Sequence, residues 1–204
     1  MNRKTLIFVL ALVFVLPARA AAETAVYKVD PDHSGVAFTI RHFVTNVPGR
    51  FKDFDGTIKY DKQAPANSSV EFTIQSASID TNNDDRDKHL SSPDFFDVQK
   101  FPTLSFASTG VKAKDADTLE VTGDLTIHGV TNLVTIPVEV LGTIATPRGE
   151  KAGFETSFTV NRKDYGIVWN RVLDAGGGML GDDVKINVSI EANREPAAAA
   201  KSGK

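Results

Sequence analysis

Hydrophobic and polar residues alternate in most segments between residues 26 and 193. Along residues 184–190, for example, branched aliphatic side chains alternate with Lys185, Asn187 and Ser189. Because successive side chains of a β-strand point to opposite faces, this period of two predicts strands with one apolar face. Residues 26–29 form a ninth strand if they are counted separately from the eight clear segments, which are 36–40, 54–60, 70–74, 104–106, 119–127, 134–140, 154–160 and 184–190.

One segment has a helical character. Residues 84–97 form a short stretch that is interrupted by Pro93, and Asp84 and Asp85 are its candidate N-caps. A single short helix cannot cover eight strands, so their apolar face must close on itself as a barrel or pack against a second sheet. We favour an antiparallel barrel of eight strands, because its interior is wide enough for side chains or one slender ligand. The predicted fold class is therefore all-β.

The N-terminal residues have the pattern of an export signal. Arg3 and Lys4 precede an unbroken apolar run over residues 6–16, which is followed by Pro17 and the tripeptide Ala18-Arg19-Ala20. This order predicts a cleavable signal peptide over residues 1–20 and a mature chain that begins near Ala21. The alternative, an uncleaved anchor, is disfavoured because a membrane-spanning helix needs about 20 apolar residues. We expect a periplasmic protein with no integral membrane segment in the mature chain.

Composition and charge narrow the class of protein. The chain has no cysteine, so its stability must come from a hydrophobic core and not from disulfides. It has 23 Lys and Arg against 26 Asp and Glu, and removal of the three basic signal residues leaves a net charge of −6. This charge argues against nucleic acid as a partner. We expect one domain over residues 21–194 and a disordered tail over residues 195–204.

Several short motifs follow one another along the chain. They are Asp30-Pro31-Asp32-His33-Ser34, Gly49-Arg50-Phe51, Ser78-Ile79-Asp80-Thr81, Arg86-Asp87-Lys88-His89-Leu90, Asp94-Phe95-Phe96-Asp97 and Gly123-Asp124-Leu125-Thr126-Ile127-His128-Gly129-Val130. In this order they resemble the YceI-like family, a family of small exported proteins associated with binding long isoprenoid lipids. The resemblance extends over nearly the whole mature chain and departs from the family pattern around residues 168–171 and 176–178, where the chain is longer and richer in glycine.

The resemblance implies an elongated lipocalin-like barrel whose hydrophobic tunnel holds a polyprenyl chain or a similar amphiphile. Thirteen phenylalanines accompany one tryptophan and three tyrosines, and most of them lie on the alternating stripes. The alternative is an ordinary packed core, and Phe95, Phe96 and Phe101 could instead plug one end. Our candidates for the tunnel lining are Phe38, Ile40, Phe72, Ile74, Phe96, Phe106, Leu125, Ile127, Phe158 and Trp169.

Four arginines are candidates for binding the head group of such a lipid. Guanidinium groups bind diphosphates and other anionic groups in a bidentate manner. A salt bridge on the surface is the alternative for each of them. The head-group candidates are Arg41, Arg50, Arg86 and Arg171.

Motifs for metal binding and catalysis are lacking. Three of the four histidines lie near aspartates, but there is no H-E-x-x-H, no cysteine and no EF-hand loop, so we expect no metal site. There is no Gly-x-Ser-x-Gly elbow, and Ser34 and His33 point to opposite faces of a strand. Residues 176–181 are rich in glycine but lack the Lys-Ser/Thr of a phosphate loop. We expect no cofactor and no catalytic residues.

We therefore predict a carrier or scavenger that binds a polyprenyl lipid, an isoprenoid quinone or a similar amphiphile. Two alternatives stay open, a lipid-modifying enzyme and a structural or interaction module with a filled core. A carrier predicts a continuous apolar tunnel, an enzyme predicts titratable groups that converge inside it, and a module predicts a filled interior. The sequence leaves three points open: which lipid is bound, whether the lipid is stored or delivered, and the oligomeric state, for which a homodimer is one alternative.

Overall fold

The computed structural model describes residues 24–171 and 178–196. The predicted signal peptide, the predicted mature start at Ala21 and residues 197–204 of the predicted tail lie outside the described residues, as do Gly176 and Gly177. Within the described part of the chain, no helix is long and apolar enough to cross a membrane.

Strands form nearly all of the regular structure. The one α-helix among the described residues is α1, Asp84–Ser91, and short 3-10 helices occupy Pro31–His33, Pro65–Asn67, Ser76–Ser78 and Arg162–Tyr165. The described strands are β1 Ala25–Val29, β2 Gly35–His42, β3 Thr45–Phe51, β4 Phe54–Tyr60, β5 Ser69–Gln75, β6 Ile79–Asp80, β7 Thr103–Ala113, β8 Thr118–Ile127, β9 Val130–Thr146, β10 Gly149–Asn161 and β11 Leu180–Arg194.

The strands build one closed antiparallel barrel of eight long strands. Three of these long strands are interrupted: β1 continues into β2, β3 into β4, and β5 into β6. Both β1 and β2 pair with β11, and the pairing of β1 with β11 closes the ring. This arrangement confirms the predicted eight-stranded, lipocalin-like barrel and rules out two separate packed sheets. Residues 26–29 belong to β1 and add no ninth long strand.

The interruption between β1 and β2 follows from the sequence Asp30-Pro31-Asp32-His33-Ser34. Pro31 opens a turn of 3-10 helix, and the Asp30 side chain accepts a hydrogen bond from the Asp32 backbone N–H at 3.2 Å. Ser34 then rejoins β11, since its Oγ donates to the Glu191 carbonyl oxygen at 3.1 Å and accepts from the Glu191 N–H at 3.0 Å. The side chain of Ser34 thus replaces backbone bonds of the sheet at the break.

Strand β3 is one of two strands that the sequence pattern misses, and the other is the two-residue strand β6. Pro48 and Gly49 lie inside β3 and are typical of turns. The strand tolerates Pro48 because β6 pairs only with Arg50 and Phe51, so that the side of β3 away from β2 is a free edge at Pro48. Proline is found mainly on such edges, where its missing N–H costs no ladder hydrogen bond.

Helix α1 is shorter than the predicted helical segment and has a different N-cap. The Asn83 side-chain oxygen accepts a hydrogen bond from the Arg86 N–H at 2.9 Å, so Asn83 is the N-cap and the assignment of Asp84 and Asp85 to that role was wrong. Both aspartates lie in the first turn, where the helix dipole favours negative charge. The helix ends at Ser91, ahead of Pro93.

The two ends of the barrel differ. At the end where β1 begins and β11 ends, Tyr27, Ala152 and Ala192 are buried and fill the interior. At the opposite end, which we call the mouth, β2 meets β3 and β6 meets α1. Side chains from α1, residues 92–102 and residues 162–171 pack against the barrel there.

Candidate functional site

A cavity of about 380 Å³ lies inside the barrel. Inward-facing side chains from β2, β5, β7, β8 and β10 contribute Phe38, Phe72, Phe106, Leu125 and Phe158 to its wall. They face inward because alternate residues of a strand point to the same side. The interior of the barrel is therefore not completely filled by its own side chains.

The ten predicted lining residues all lie in the wall of this cavity. Lining residues of one strand are two positions apart. Phe72 and Ile74, for example, therefore project from β5 to the same side. The structure thus brings these residues together, while their contact with a lipid stays a prediction.

Sequence reasoning missed other parts of the wall. Val47 and Phe51 also line the cavity, and they were missed because β3 was not recognised as a strand. A second group lies on stripes that the alternation identified, but no signal separated cavity wall from filled core along those stripes. This group includes Leu119, Val121, Ile136, Val138, Phe154, Val184, Ile186 and Val188. Val111 lies beyond the predicted segment 104–106, because the register of β7 shifts between Ser108 and Gly110.

Several polar residues of the wall lie at the mouth, among them His42, Thr81, Arg86 and His89. The polar residues that border the cavity further from the mouth include Lys59, Ser68, Glu155 and Thr156. Arg86 donates from Nε to the Thr81 hydroxyl at 2.6 Å and from Nη2 to the Thr81 carbonyl oxygen at 2.7 Å. These two bonds hold the guanidinium at the edge of the cavity, so Arg86 is the head-group candidate whose position fits that role.

The other three arginines do not line the cavity. Arg50 donates to the Asp80 carboxylate from Nε at 3.0 Å and from Nη2 at 2.8 Å, which is the salt bridge that we gave as the alternative. Arg41 is exposed and donates from Nε to the Phe43 carbonyl oxygen at 3.0 Å. Arg171 is exposed, and its carbonyl oxygen accepts from the Met179 N–H at 2.9 Å.

An aromatic cluster covers part of the mouth. The His89 ring lies 5.0 Å from the Phe95 ring and 4.9 Å from the Trp169 ring, and Phe95 and Trp169 are 5.2 Å apart. His89 Nε2 lies 2.9 Å from Asp94 Oδ2. The cluster joins α1 and the residues after it to the segment that follows β10.

The three phenylalanines that were considered as a plug have different positions. Phe95 and Phe96 both line the cavity at the mouth, so they cover that end and form part of the wall. The Phe101 ring packs at 4.6 Å on the ring of His128 and does not line the cavity.

One cluster of side chains that could ligate a metal ion lies at the interruption between β1 and β2. It consists of Asp30, His33 and Glu191, whose potential metal-binding atoms lie within 4.8 Å of one another. Lys151 contacts both carboxylates, with Nζ 3.3 Å from Asp30 Oδ2, and therefore supplies a positive charge to the cluster. Partial burial opposes ionisation of Asp30, but hydrogen bonds from His33, Lys151 and Asn193 hold the pKa of its carboxyl below the usual value. None of these residues lines the cavity.

The fold and the cavity define a small lipocalin-like barrel that encloses an apolar cavity with polar groups at one end. The model of the YceI-like domain matches residues 27–192, and the chain belongs to that family. A UPF0312 protein of Pseudomonas paraeruginosa is 41% identical over 199 residues, which cover 96% of this chain and all of the relative.

Two solved structures resemble the barrel. Burkholderia cenocepacia BcnA has a TM-score of 0.73 and 26% identity, with coverage of 81% of this chain and 99% of BcnA. A polyisoprenoid binding domain from Saccharophagus degradans has a TM-score of 0.65 and 15% identity, with coverage of 85% of this chain and 100% of the domain. At 15% identity, the match to the Saccharophagus degradans domain shows a similar fold and nothing more.

Proposed function

We propose that this chain binds one long, mostly hydrocarbon isoprenoid lipid in the barrel cavity and acts as an exported carrier or scavenger that performs no chemistry on it. The observation that carries the proposal is the predominantly apolar cavity, which has Arg86, His89 and His42 at its mouth. An amphiphile has the same distribution, with a long apolar chain and one polar end.

The energetics favour an occupant. Wall side chains that face an empty apolar cavity lack partner atoms, and such voids cost stability roughly in proportion to their volume. A guest chain removes this cost, and each methylene taken out of water contributes about 0.8 kcal/mol. The fold likeness to a polyisoprenoid binding domain supports an isoprenoid, such as a polyprenyl lipid or an isoprenoid quinone, as the guest.

Arg86 is the residue that we assign to the head group. Its guanidinium is held by Thr81 through two hydrogen bonds and lies at the cavity edge. An arginine that is positioned in this way binds a diphosphate or the oxygen of a quinone without losing much side-chain freedom.

A lipid-modifying enzyme is the weaker proposal. An enzyme needs an acid, a base or a nucleophile beside the reacting atom. The imidazoles of His42 and His89 lie at the mouth, and the deep wall around Val121, Leu125 and Ile136 is aliphatic. This distribution favours binding over catalysis.

The binding proposal is tested with protein from its native host. The purified protein is extracted with organic solvent and the extract is examined by mass spectrometry, and the delipidated protein is then titrated with an isoprenoid diphosphate and with an isoprenoid quinone. We expect about one lipid per chain and tight uptake of at least one probe. Absence of lipid in the extract together with failure to take up either probe would refute the proposal.

The export proposal has its own test. Because residues 1–20 have the pattern of a cleavable signal, we expect the protein in the periplasmic fraction, with a mature chain that begins near Ala21. N-terminal sequencing of the purified protein checks the cleavage. Recovery of the uncut chain from the cytoplasm would contradict it.

A further inference from the structure

We infer that three strand glycines, Gly49, Gly56 and Gly123, set the width of the cavity and so allow it to accept a methyl-branched chain. The inference rests on the proposed function, since it concerns the same cavity. Each of these glycines is buried and lies beneath the ring of a phenylalanine that lines the wall.

The first pair is Gly49 and Phe38. The two residues face each other across β2 and β3. A Cβ placed on Gly49 would lie 2.2 Å from Phe38 Cζ and 2.7 and 2.8 Å from its two Cε atoms. Such distances mean that the Phe38 ring lies directly on the Gly49 backbone and occupies the space that any larger residue would need.

The other two pairs lie side by side on four neighbouring strands. A Cβ on Gly56 would lie 2.5 Å from Phe72 Cδ2, and a Cβ on Gly123 would lie 2.7 Å from Phe106 Cζ. Phe72 and Phe106 are themselves opposite each other in β5 and β7, between the strands that carry the two glycines. The two rings therefore lean apart, each towards the glycine on its outer side.

The backbone dihedral angles give no reason for glycine at these positions. None of the three has the positive φ that favours glycine, in contrast to Gly129 and Gly166. Glycine within a strand weakens the strand, since it loses more conformational freedom and provides no side chain for packing. What remains is the close approach of neighbouring atoms, which is the phenylalanine ring alone at Gly49 and the ring together with a backbone carbonyl oxygen at Gly56 and Gly123.

The consequence concerns the shape of the cavity. A ring that lies against the wall leaves the centre of the barrel open, whereas a ring that stands on a Cβ projects into it. With a Cβ at residue 49, the Phe38 ring would have to move by ~1 Å or more to restore normal contact distances. An isoprenoid carries methyl branches along its length and needs a wider cavity than an unbranched chain. A narrower cavity should therefore weaken the binding of an isoprenoid before it weakens the binding of an unbranched chain.

The test uses Gly49→Ala, because the added Cβ meets only the far end of the Phe38 side chain. At Gly123 the same change would also approach the Ala107 carbonyl oxygen at 2.5 Å, and it would disturb the backbone. Gly35→Ala is the matched control, since nothing lies within 4 Å of a Cβ at that strand position.

Delipidated wild type and variants are titrated with geranylgeraniol and with an unbranched alcohol of the same main-chain length. We expect Gly49→Ala to weaken geranylgeraniol binding by about tenfold, which is the low end of the cost of overpacking, with little effect on the unbranched alcohol. The double change Gly49→Ala with Phe38→Leu should restore geranylgeraniol binding, and Gly35→Ala should bind both alcohols as the wild type does.

The possible results separate the two proposals. If the wild type binds neither alcohol, this inference is overturned, and the proposed function fails with it only if the isoprenoid diphosphate and the quinone are not taken up and no lipid is extracted. If the wild type binds geranylgeraniol but Gly49→Ala leaves both affinities unchanged, or weakens both equally, only the role of the glycines is overturned. A loss confined to the branched alcohol supports it.

Discussion

Arg162 donates a hydrogen bond from Nη1 to the carbonyl oxygen of Trp169 at 2.8 Å. The same nitrogen donates to the Ile167 carbonyl oxygen at 2.8 Å, and Nε donates to the Gly181 carbonyl oxygen at 2.9 Å. The side chain is 4% exposed, and this burial lowers the pKa of the Arg162 guanidinium, although arginine stays charged in proteins. Arg162 therefore ties the segment that carries Trp169 to the start of β11.

Replacement of this arginine should loosen the mouth. Arg162→Met leaves three carbonyl oxygens without their donor, and at about 1 kcal/mol for each we expect a loss of about 3 kcal/mol in the free energy of unfolding, measured by urea denaturation. The matched control is Arg171→Met, at an exposed position, which should change stability by about 0.5 kcal/mol or less. Equal denaturation midpoints for the two variants would contradict this role of Arg162.

Inward and outward positions of one strand should respond differently to a charge. Phe72 lines the cavity and Glu71, its neighbour in β5, is exposed. Phe72→Arg places an unpaired charge in the apolar cavity, at a cost of several kcal/mol, and should reduce both stability and lipid uptake. Glu71→Arg should have little effect on either. The measurements are the denaturation midpoint and the amount of lipid bound, and similar losses for both variants would refute the assigned facing.

The single tryptophan should report the arrival of the lipid. Trp169 lines the cavity at the mouth and contacts the rings of His89 and Phe95. A hydrocarbon chain that enters the cavity should displace water from the indole and shift its emission to the blue or quench it. Trp169→Phe serves as the control, because it should remove the signal while lipid uptake, measured by extraction, is retained. Unchanged emission of the wild type during confirmed uptake would place the guest away from Trp169.

Alkaline pH should destabilise the filled end of the barrel through Tyr27. Burial, together with the hydrogen bond that its hydroxyl donates to Glu150, raises the pKa of Tyr27 from the ordinary 10 to about 12. The folded state therefore keeps this proton at a pH at which the unfolded chain has lost it. The raised pKa of Tyr27 contributes about 2–3 kcal/mol to the free energy of unfolding. This contribution is fully present below pH 10 and is lost as the pH rises to about 12.

The check is a comparison of unfolding free energies for the wild type and Tyr27→Phe between neutral and alkaline pH. The variant lacks the titrating group, so its stability should fall less steeply above pH 10. Parallel curves for the two proteins would show that Tyr27 titrates at its ordinary value in the folded state.

The wall of the cavity was predictable because its cause is local. Phe72 and Ile74 point to the same side whatever their surroundings, since side chains alternate along any strand. An apolar face on eight such strands, with one short helix, must close on itself or pack against a second sheet, so the all-β class was predictable from the same pattern and the barrel was the favoured of two solutions.

The interruptions and the role of each arginine were not predictable in this way. Pro48 and Gly49 are typical of a turn, and they lie in a strand because β2 pairs with them on one side. Four arginines looked alike in the sequence, but Thr81 holds Arg86 at the cavity edge while Asp80 holds Arg50 in a salt bridge outside it. The charged end of a long side chain is held by its hydrogen-bonding partner. The position of that partner depends on the packing of the whole barrel.

The sequence by itself determined which residues face inward along the predicted strand segments, because facing there depends only on the alternation within each segment. The tertiary structure decided how the inward residues meet. Gly49 reveals its role only when β3 is aligned with β2 and the Phe38 ring covers it. Register between strands is set by the simultaneous packing of all eight around one interior, and therefore the width of the cavity is a property of the assembled barrel and not of any single segment.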